Sequence, residues 1–409
     1  MPSVYLDHAA TTPLAPGALA AMLPWMEGAV GNPSAVHSLG RRARAAIDDA
    51  RDRLAGAVGC ASREIVVTSG GTEADNLAVR GVLERWGPER GRHLVVSAVE
   101  HEAVLNTAER LADIGAASLT VVGCDRLGRV DPAEVAAAVR PDTVLVSVML
   151  ANNEVGTLQD VAAMVSAVRS RSPTALVHSD AVQGLGRIPL RFDELGVDLL
   201  SLSAHKAQGP VGTGLLAVGQ GVFLGGQLTG GGQERGRRSG TENVAGIVGF
   251  AAAAEGAVRS IAAATGVMAG YFGRMTKALQ TAIPDLILTG DPARRLPGHF
   301  SAVIPGCRGE ILLARLDEAG VCASAGSACA SGAPLPSHVL TAMGYSVDDA
   351  ACALRLSAGR ETTEEDCRIA AELIEQAVRS VRQVGQTRAA QLRNSPALGG
   401  RPVLHMPTS

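Results

Sequence analysis

Glu64-Ile65-Val66-Val67-Thr68-Ser69-Gly70-Gly71-Thr72-Glu73 is a β-rich run followed by a glycine turn and the start of a helical pattern. The apolar run predicts a strand over residues 64–69, buried on both faces. The pattern from Glu73 to Trp86 predicts the helix that follows it. A strand, a turn and a helix form the repeating unit of a parallel α/β sheet. This stretch therefore points to the α/β fold class.

The same unit recurs along the middle of the chain. Further strands are predicted at His93–Ser97, Thr120–Val122, Thr143–Met149, Ala175–His178 and Asp198–Leu202, with a helix from about Ala103 to Ile114. We therefore expect a large domain with a mostly parallel sheet. Ligands collect at the carboxyl ends of the strands in such sheets.

The domain organisation follows from length and from changes of pattern. A chain of 409 residues is long enough for two domains. A Gly-rich stretch and a long helical pattern follow the strand series, and from about Leu286 mixed short elements suggest a smaller α+β domain. The predicted divisions are an N-terminal segment at 1–14 that joins the small domain, a large domain at 15–258, a small domain at 259–387, and a flexible tail at 388–409.

Composition excludes several classes of function. A net charge of -3 and 2% aromatic residues favour neither a nucleic-acid surface nor an anionic membrane. No apolar run reaches the roughly 18 residues that span a bilayer, and the first residues lack the pattern of a signal peptide. The seven cysteines include no Cys-x-x-Cys, so we expect no metal site and no disulfide framework. A cytoplasmic protein with reduced thiols fits best.

Lys206 is the first candidate for covalent chemistry. Only two of the 37 basic residues are lysine, and an arginine cannot form an imine because its guanidinium stays protonated. Lys206 follows a predicted strand together with Ser203 and His205, so a hydroxyl, an imidazole and an amine meet at one edge of the sheet. The alternative is a solvated surface lysine.

A phosphate site is predicted at Thr68 to Glu73. The glycines permit close approach of the backbone, and the helix start presents unpaired N–H groups to an anion. The stretch is not a Walker A loop, since no Gly-Lys-Ser/Thr follows. The alternative is an ordinary turn in which Thr72 caps the helix.

Two further strand ends carry polar residues. Asp180 could pair with a protonated pyridine nitrogen, and Gln183 could bond the ring oxygen; Asp180 could equally be a helix cap. His101 could stack on a ring and act as acid or base, or it could be structural.

Asn153 and Arg355 are candidates for binding a substrate carboxylate. Arg355 lies between apolar residues and needs a partner, which would be a bidentate carboxylate or an internal salt bridge. Cys329, in Ser327-Ala328-Cys329-Ala330-Ser331, is a candidate nucleophile because small neighbours allow close approach. Cys322 and the other cysteines are interpreted as small apolar residues.

Taken together, these segments resemble cysteine desulfurases of the NifS/IscS type, within the class V aminotransferase family. The resemblance covers roughly residues 4–365 and rests on Tyr5-Leu6-Asp7-His8-Ala9-Ala10-Thr11-Thr12, Gly31-Asn32-Pro33-Ser34, Thr68-Ser69-Gly70-Gly71-Thr72-Glu73, Glu100-His101, Asn152-Asn153-Glu154-Val155-Gly156, Asp180-Ala181-Val182-Gln183, Ser203-Ala204-His205-Lys206, Arg238-Ser239-Gly240-Thr241 and Ser327-Ala328-Cys329.

The resemblance implies a pyridoxal phosphate enzyme of fold type I, with a seven-stranded-type sheet, that forms a homodimer. It also implies a role for each matching residue. Lys206 holds pyridoxal 5'-phosphate, Cys329 forms the persulfide, His101 stacks on the ring, Asp180 and Gln183 bind the ring, Gly71, Thr72, Ser203 and His205 bind the phosphate, Thr241 reaches in from the other subunit, and Asn153 and Arg355 bind the substrate carboxylate with Asn32 nearby.

In the implied reaction, Lys206 removes the α-proton of L-cysteine and the Cys329 thiolate attacks the substrate sulfur. The products are alanine and a Cys329 persulfide. The sulfur then passes to an acceptor protein, for iron–sulfur assembly, tRNA thiolation or DNA phosphorothioation.

The chain differs from the family pattern at two places, and two other functions compete with that of a cysteine desulfurase. The residues around Cys329 differ from the usual family pattern, and the tail from Arg388 does not resemble the segment that grips a scaffold partner. One rival is a selenocysteine lyase or another class V aminotransferase, since a shared fold does not define a reaction. The other is a binding module that has lost catalytic activity.

Overall fold

The computed structural model describes residues 4–28, 30–326 and 336–394 of the chain. Cys329 and the residues from 395 onward lie outside the described residues. The described strands are β1 (Val4–Tyr5), β2 (Ile65–Thr68), β3 (His93–Ser97), β4 (Ser118–Val122), β5 (Thr143–Ser147), β6 (Leu176–Asp180), β7 (Leu199–Ser203), β8 (Gly214–Val218), β9 (Ile287–Leu288), β10 (His299–Val303), β11 (Val321–Cys322) and β12 (Ala353–Ser357).

Helices separate most of these strands. The described helices are α1 (Pro16–Glu27), α2 (Ser38–Val58), α3 (Gly71–Arg90), α4 (Glu102–Asp113), α5 (Pro132–Ala138), α6 (Val161–Arg171), α7 (Phe192–Leu195), α8 (Val244–Ala282), α9 (Gly309–Glu318), α10 (His338–Ala342), α11 (Val347–Ala350) and α12 (Glu364–Asn394). Elements predicted from the apolar runs agree with these bounds to within a few residues.

The central sheet has seven strands in the order β2-β8-β7-β6-β5-β3-β4. The pairs from β7 through β6, β5 and β3 to β4 are parallel, whereas β8 runs antiparallel to both of its neighbours. The predicted fold class, a mostly parallel seven-stranded sheet, is therefore confirmed.

Helices cover both faces of this sheet, which explains why its strands are continuous apolar runs. Apolar residues of α3 and α4 pack on one face, in a core that includes Leu77, Val82 and Val104. Helices α2, α6 and α8 pack on the other, with Leu54, Met164 and Phe250 in the core. The strands β4 and β5 pair with opposite edges of β3, so the strand order reverses at this point. A ligand crevice is expected at the carboxyl ends of the strands near such a switch point.

A second core lies against the antiparallel sheet β12-β10-β9 and helices α9 and α12. The N-terminal strand β1 pairs with β11 in this region, at Val4↔Val321 and Tyr5↔Cys322. Helix α8 contributes Phe250 to the first core and Phe272 to the second. The predicted boundary at 258/259 therefore falls inside one helix, and the domain divisions stay predictions.

Two expectations need correction. Residues 388–394 were predicted as part of a flexible tail, but α12 continues to Asn394. No proline or glycine lies between Arg388 and Ser395, so nothing in this part of the sequence stops the helix before Pro396. Among the described residues, Val244–Ala263 is long and apolar enough to cross a membrane by length and composition. This segment of α8 packs against the sheet, which is also how the core helix of a globular protein behaves.

A buried ion pair supports the beginning of β2, the strand that leads to the glycine turn. Arg51 on α2 contacts the carboxylate of Glu234, and both side chains are buried. Arg51 Nη1 donates to the carbonyl oxygen of Ile65 at 2.9 Å, and Val67 N donates to Glu234 Oε2 at 3.0 Å. Each end of the pair therefore also satisfies a backbone group of β2.

We predict that Glu234→Ala destabilises the protein by about 3–5 kcal/mol, because it leaves the Arg51 guanidinium buried without its carboxylate. The unfolding temperature measured by thermal denaturation should fall. The double variant Arg51→Met with Glu234→Ala should recover part of the loss, since it removes the unpaired buried charge although it leaves the Ile65 carbonyl and the Val67 amide without these partners. Equal unfolding temperatures for the single and double variants would contradict the prediction.

Candidate active site

A cavity of about 280 Å³ lies at the carboxyl ends of the parallel strands. The loops after β2, β3, β5, β6 and β7 all contribute to its wall. Among its lining residues are the predicted site residues Gly71, Thr72, His101, Asn153, Asp180, Gln183, Ser203, His205, Lys206 and Arg355. The fold thus brings together residues that are separated by up to 284 positions in sequence.

Three predicted residues are not placed there. Asn32 and Thr241 are exposed and do not line the cavity of this chain. Asn32 lies in the turn before α2, where its Oδ1 accepts from Ser34 N at 2.9 Å. Asn32 therefore does not reach the cavity of its own chain, and its expected place near the substrate stays a prediction. Cys329 lies outside the described residues, although Gly326 lines the cavity.

Lys206 ends a short 3₁₀ turn, Ala204–Lys206, that follows β7 directly. Its Nζ donates to the carbonyl oxygens of Ala9 and Ala10, each at 2.6 Å. The N-terminal segment therefore forms part of the cavity wall. These contacts place Lys206 inside the site and contradict the surface-lysine alternative.

The anion-binding end of the cavity is the N-terminus of α3. The helix begins at Gly71, so Thr72 is the second helical residue and the cap is Gly70, which contradicts the alternative in which Thr72 caps the helix. A β-carbon on Gly71 would lie 2.8 Å from Val182 Cγ2, so a side chain does not fit there. The free N–H groups of this turn, with the Thr72 and Ser203 hydroxyls beside them, form an anion site.

His205 adds a neutral donor or acceptor to this end. Its Nδ1 lies 3.0 Å from Thr11 Oγ1. Burial, and next the charge of Lys206, lower the pKa of His205 to about 4. The imidazole is therefore uncharged at neutral pH, which leaves Lys206 and the helix N-terminus to supply positive charge.

Asp180 ends β6 and lines the cavity. Its Oδ1 accepts from Val182 N at 2.8 Å in a turn, and no helix begins at this point of the described chain, so the cap alternative is wrong. Burial raises the pKa of Asp180, whereas His101, the Val182 amide and Lys206 lower it. A cation placed beside Asp180 would stabilise its ionised form. Gln183 follows, with a buried Oε1 that has no hydrogen-bond partner among the described residues.

His101 caps α4 and also lines the cavity. Its Nδ1 accepts from Ala103 N at 3.1 Å, so the proton of a neutral ring lies on Nε2. The structural and functional interpretations of His101 are therefore compatible, since the cap orients the ring toward one tautomer.

Arg355 resolves the two alternatives for its partner. Its Nη2 lies 2.8 Å from Asp7 Oδ1 and its Nη1 donates to the Asn153 carbonyl oxygen at 3.1 Å. The internal salt bridge is thus present. Arg355 still lines the cavity with only 2% of its side chain exposed, and its Nε has no partner among the described residues. Asn153 lines the cavity beside it, whereas Asn152 is structural and accepts from the amides of Glu154 and Val155.

Sequence reasoning missed several cavity residues, including Asp75, Glu102, Met149, Glu154 and His338. Asp75 lies within α3, and an aspartate between alanine and asparagine in a helix carries no recognisable motif. Its position facing the apolar sheet, read from the helical period, is the one signal that could have identified it. Burial and the nearby Asp180 raise the pKa of Asp75 well above its usual range.

The described cysteines do not lie in the cavity. Burial raises the pKa of Cys60 to about 12 and those of Cys124 and Cys367 to about 11, and it also raises the pKa values of Cys307 and Cys352. These thiols are therefore protonated at neutral pH and poor nucleophiles. Cys322 is half-buried in β11.

Residues 4–369 match the family model for class-V aminotransferases. The chain belongs to the class-V aminotransferase family. The cysteine desulfurase IscS of Dictyoglomus turgidum (strain DSM 6724 / Z-1310) is 40% identical over 381 residues, which are 93% of this chain and 96% of that protein.

Two solved structures share the fold over most of the chain. A NifS-like protein superposes with a TM-score of 0.86 at 35% identity, covering 92% of this chain and 100% of that one. SspA in complex with cysteine superposes with a TM-score of 0.75 at 31% identity, covering 88% of this chain and 99% of that one.

Class-V aminotransferases depend on pyridoxal 5'-phosphate, and the cavity residues fit that group. Lys206 supplies an amine, the N-terminus of α3 supplies an anion site where no side chain fits on Gly71, and Asp180 supplies a carboxylate for a pyridinium. The buried Oε1 of Gln183 has no hydrogen-bond partner among the described residues, so it is an acceptor that a polar group of the cofactor would satisfy.

Glu100 is a buried carboxyl that should make the stability of the protein depend on pH. Burial raises the pKa of this carboxyl to about 8, although Ser97 Oγ and Met149 N donate to its Oε1. The folded protein therefore holds a proton that the unfolded chain releases above its own pKa of about 4.3. Stability from this group is fully present below the unfolded pKa and is lost as pH rises toward 8.

We predict that Glu100→Gln becomes progressively more stable than the unsubstituted protein as pH rises from about 4.5 to about 8, and that the difference then levels off. Glutamine keeps the acceptor oxygen but does not titrate. Thermal unfolding of both proteins at several pH values measures the difference. A difference that does not change with pH would show that Glu100 is ionised in the folded state.

Proposed function

We propose that this protein is a cysteine desulfurase, which converts L-cysteine to L-alanine and leaves the sulfur as a persulfide on Cys329. The observation that carries the proposal is the position of Lys206. Its amine lies in one cavity with an anion site, a buried carboxylate and Gly326, which lies three residues before Cys329.

Bound pyridoxal 5'-phosphate supplies an electron sink for the carbanion left when an α-proton is removed. Lys206 removes and returns that proton, since its amine is in the cavity and the backbone carbonyls of Ala9 and Ala10 fix its position. Asp180 keeps the electron sink effective by holding a positive charge beside its carboxylate. His101 donates from Nε2 when neutral.

The substrate carboxylate binds at the Arg355 end of the cavity. Asp7 neutralises part of the guanidinium, and the buried Nε has no hydrogen-bond partner within the described part of the chain. Asn153 adds an amide beside it.

Sulfur transfer is a thiol reaction that needs no external oxidant. The Cys329 thiolate attacks the substrate sulfur, the S–S bond forms, and the C–S bond breaks with its electron pair going to the carbon that becomes the methyl group of alanine. L-cysteine and a thiol thus become L-alanine and a persulfide. The acceptor of the persulfide sulfur is a protein.

We further propose a reducing, cytoplasmic location, which the six described cysteines support because they form no disulfide.

We predict that both Lys206→Ala and Cys329→Ala abolish the release of alanine from L-cysteine, because one removes the base and the other the sulfur acceptor. Alanine and, with a thiol reductant, sulfide should form in equal amounts with the unsubstituted protein. Lys277→Ala and Cys322→Ala are matched controls that keep activity, since neither side chain lines the cavity.

Three outcomes would contradict this proposal. Full turnover of L-cysteine by Cys329→Ala would favour an aminotransferase, which needs no thiol. Turnover of selenocysteine without turnover of cysteine would favour a selenocysteine lyase. Absence of cofactor absorbance in the visible range after reconstitution would favour a binding module.

We also propose that the protein is a homodimer. Between residues 14 and 39 an apolar face is exposed, with Met26 at 65% and Val36 at 88% exposure. Exposed apolar patches of this kind mark interaction sites. Arg44 links this face to the Thr241 region, since it donates to the Pro33 carbonyl oxygen and pairs with Glu242. Asn32 and Thr241 thus lie together on one surface, where a second copy would bring them to its own cavity.

We predict that Met26→Glu with Val36→Glu yields a monomer with weakened cofactor binding, because buried charges oppose association. Analytical ultracentrifugation measures the mass and fluorescence titration the affinity. Val347→Glu, at a position 59% exposed elsewhere, is the matched control. When Lys206→Ala protein, which is inactive, is mixed with Thr241→Ala protein, mixed dimers should form. One of the two sites in each mixed dimer then contains both native residues. A dimeric double variant, or a mixture no more active than its parts, would contradict the proposal.

A further inference from the structure

The two ends of the segment that carries Cys329 meet at one carboxylate. A β-carbon on Gly326 would lie 2.7 Å from Glu154 Oε2 and 3.2 Å from Ser337 Cβ. Ser337 Oγ donates a short hydrogen bond to the same Glu154 Oε2. The chain therefore leaves at Gly326 and returns at Ser337 within contact distance, and Glu154 touches both points.

Glu154 itself is held rigidly. Its amide donates to Asn152 Oδ1 at 2.8 Å, and its carbonyl oxygen lies 3.0 Å from His299 Nε2. Asn152 Nδ2 donates in turn to the Val99 carbonyl oxygen at 3.0 Å. The turn that presents the carboxylate is thus attached to the loop after β3 and to β10. Glu154 is 4% exposed, so its position is set by packing as well as by hydrogen bonds.

The return point is tied to the site by two further contacts. Ser337 Oγ accepts from Leu340 N at 3.0 Å and so caps α10, the helix that begins at His338. His338 Nε2 lies 2.9 Å from the Glu100 carbonyl oxygen. The departure point is also fixed, since Ser324 and Arg355 exchange backbone hydrogen bonds at 3.2 and 2.7 Å.

The electrostatic surroundings of the Glu154 carboxyl agree with its contact with Ser337. Burial raises the pKa of Glu154, whereas the Ser337 hydroxyl and the charges of His338 and Arg355 lower it. A buried carboxyl is costly unless its oxygens are hydrogen-bonded, and the Ser337 hydroxyl provides that bond. A glutamine would offer the same acceptor oxygen without the charge.

We propose that Glu154 is a positioning residue for sulfur transfer, which holds Gly326 and Ser337 so that the segment between them presents Cys329 to the substrate. The inference rests on the proposed function. Because both ends of the segment are already held together, less conformational entropy is lost when the thiol meets the substrate. This restraint also raises the effective concentration of the thiol at the reacting sulfur. Glu154 acts through these two residues and touches neither reacting atom.

The test compares Glu154→Ala and Ser337→Ala with Glu154→Gln. Cysteine binding is followed by the change in cofactor absorbance, and persulfide formation by mass spectrometry of Cys329 in a single turnover. We expect both alanine variants to bind cysteine with an affinity within a few-fold of the unsubstituted protein. Their rate of persulfide formation should fall by at least about tenfold, and Glu154→Gln should keep most of the rate.

The matched control is Ser346→Ala. Ser346 caps α11 by accepting from Asp349 N at 3.1 Å, so this variant also loses a helix cap but has no contact with Glu154. Its persulfide rate should be unchanged. Unfolding temperatures of all variants identify any that fail to fold, and Gly326→Ala, which places a methyl group against Glu154 Oε2, is a second variant expected to slow the same step.

Several results would overturn the inference. Unchanged persulfide rates in Glu154→Ala and Ser337→Ala would do so, as would a parallel loss of cysteine binding, which would place Glu154 at the substrate. A Glu154→Gln variant as slow as Glu154→Ala would show that the charge is what matters. If the unsubstituted protein forms no Cys329 persulfide, the proposed function fails; if it does and the variants match it, only this inference fails.

Discussion

The ion pair of Arg355 with Asp7 is the interaction on which the site depends. A guanidinium with 2% exposure must be paired, since an unpaired buried charge costs several kcal/mol. The guanidinium pairs with Asp7 in the N-terminal segment and with the Asn153 carbonyl after β5, while the backbone of Arg355 bonds that of Ser324 ahead of the Cys329 segment. Meeting this one requirement brings the smaller core, the N-terminus and the central sheet to a common point.

The electrostatics of the cavity follow from burial. Asp75, Glu100, Glu154 and Asp180 all have raised pKa values, mainly because burial penalises their charged forms. The imidazole of His205 is neutral for the same reason. An anion bound at the N-terminus of α3 would meet the positive end of that helix, and a cationic ring beside Asp180 would stabilise the ionised form of this carboxyl. The site is thus built to hold a zwitterionic group rather than a simple ion.

The contrast between the two asparagines shows how local geometry assigns roles. Asn152 turns inward and its amide organises the turn that carries Glu154. Asn153, the next residue, lines the cavity, and its carbonyl meets Arg355. Neighbouring residues of one type therefore divide into a structural and a functional member. A pattern of residue types cannot make that division, because it depends on which way each side chain leaves the turn.

The amino-acid sequence by itself determined the α/β class, the strand ends and the residues grouped around Lys206. Apolar runs predict buried strands, and polar residues directly after such strands must converge at one sheet edge. Only the tertiary structure decided that Arg355 pairs with Asp7, that Thr72 lies inside α3, and that Asp75 and Glu154 belong to the site. These contacts join residues up to 348 positions apart, and no local pattern encodes such a distance, since it arises from the packing of one core against the other.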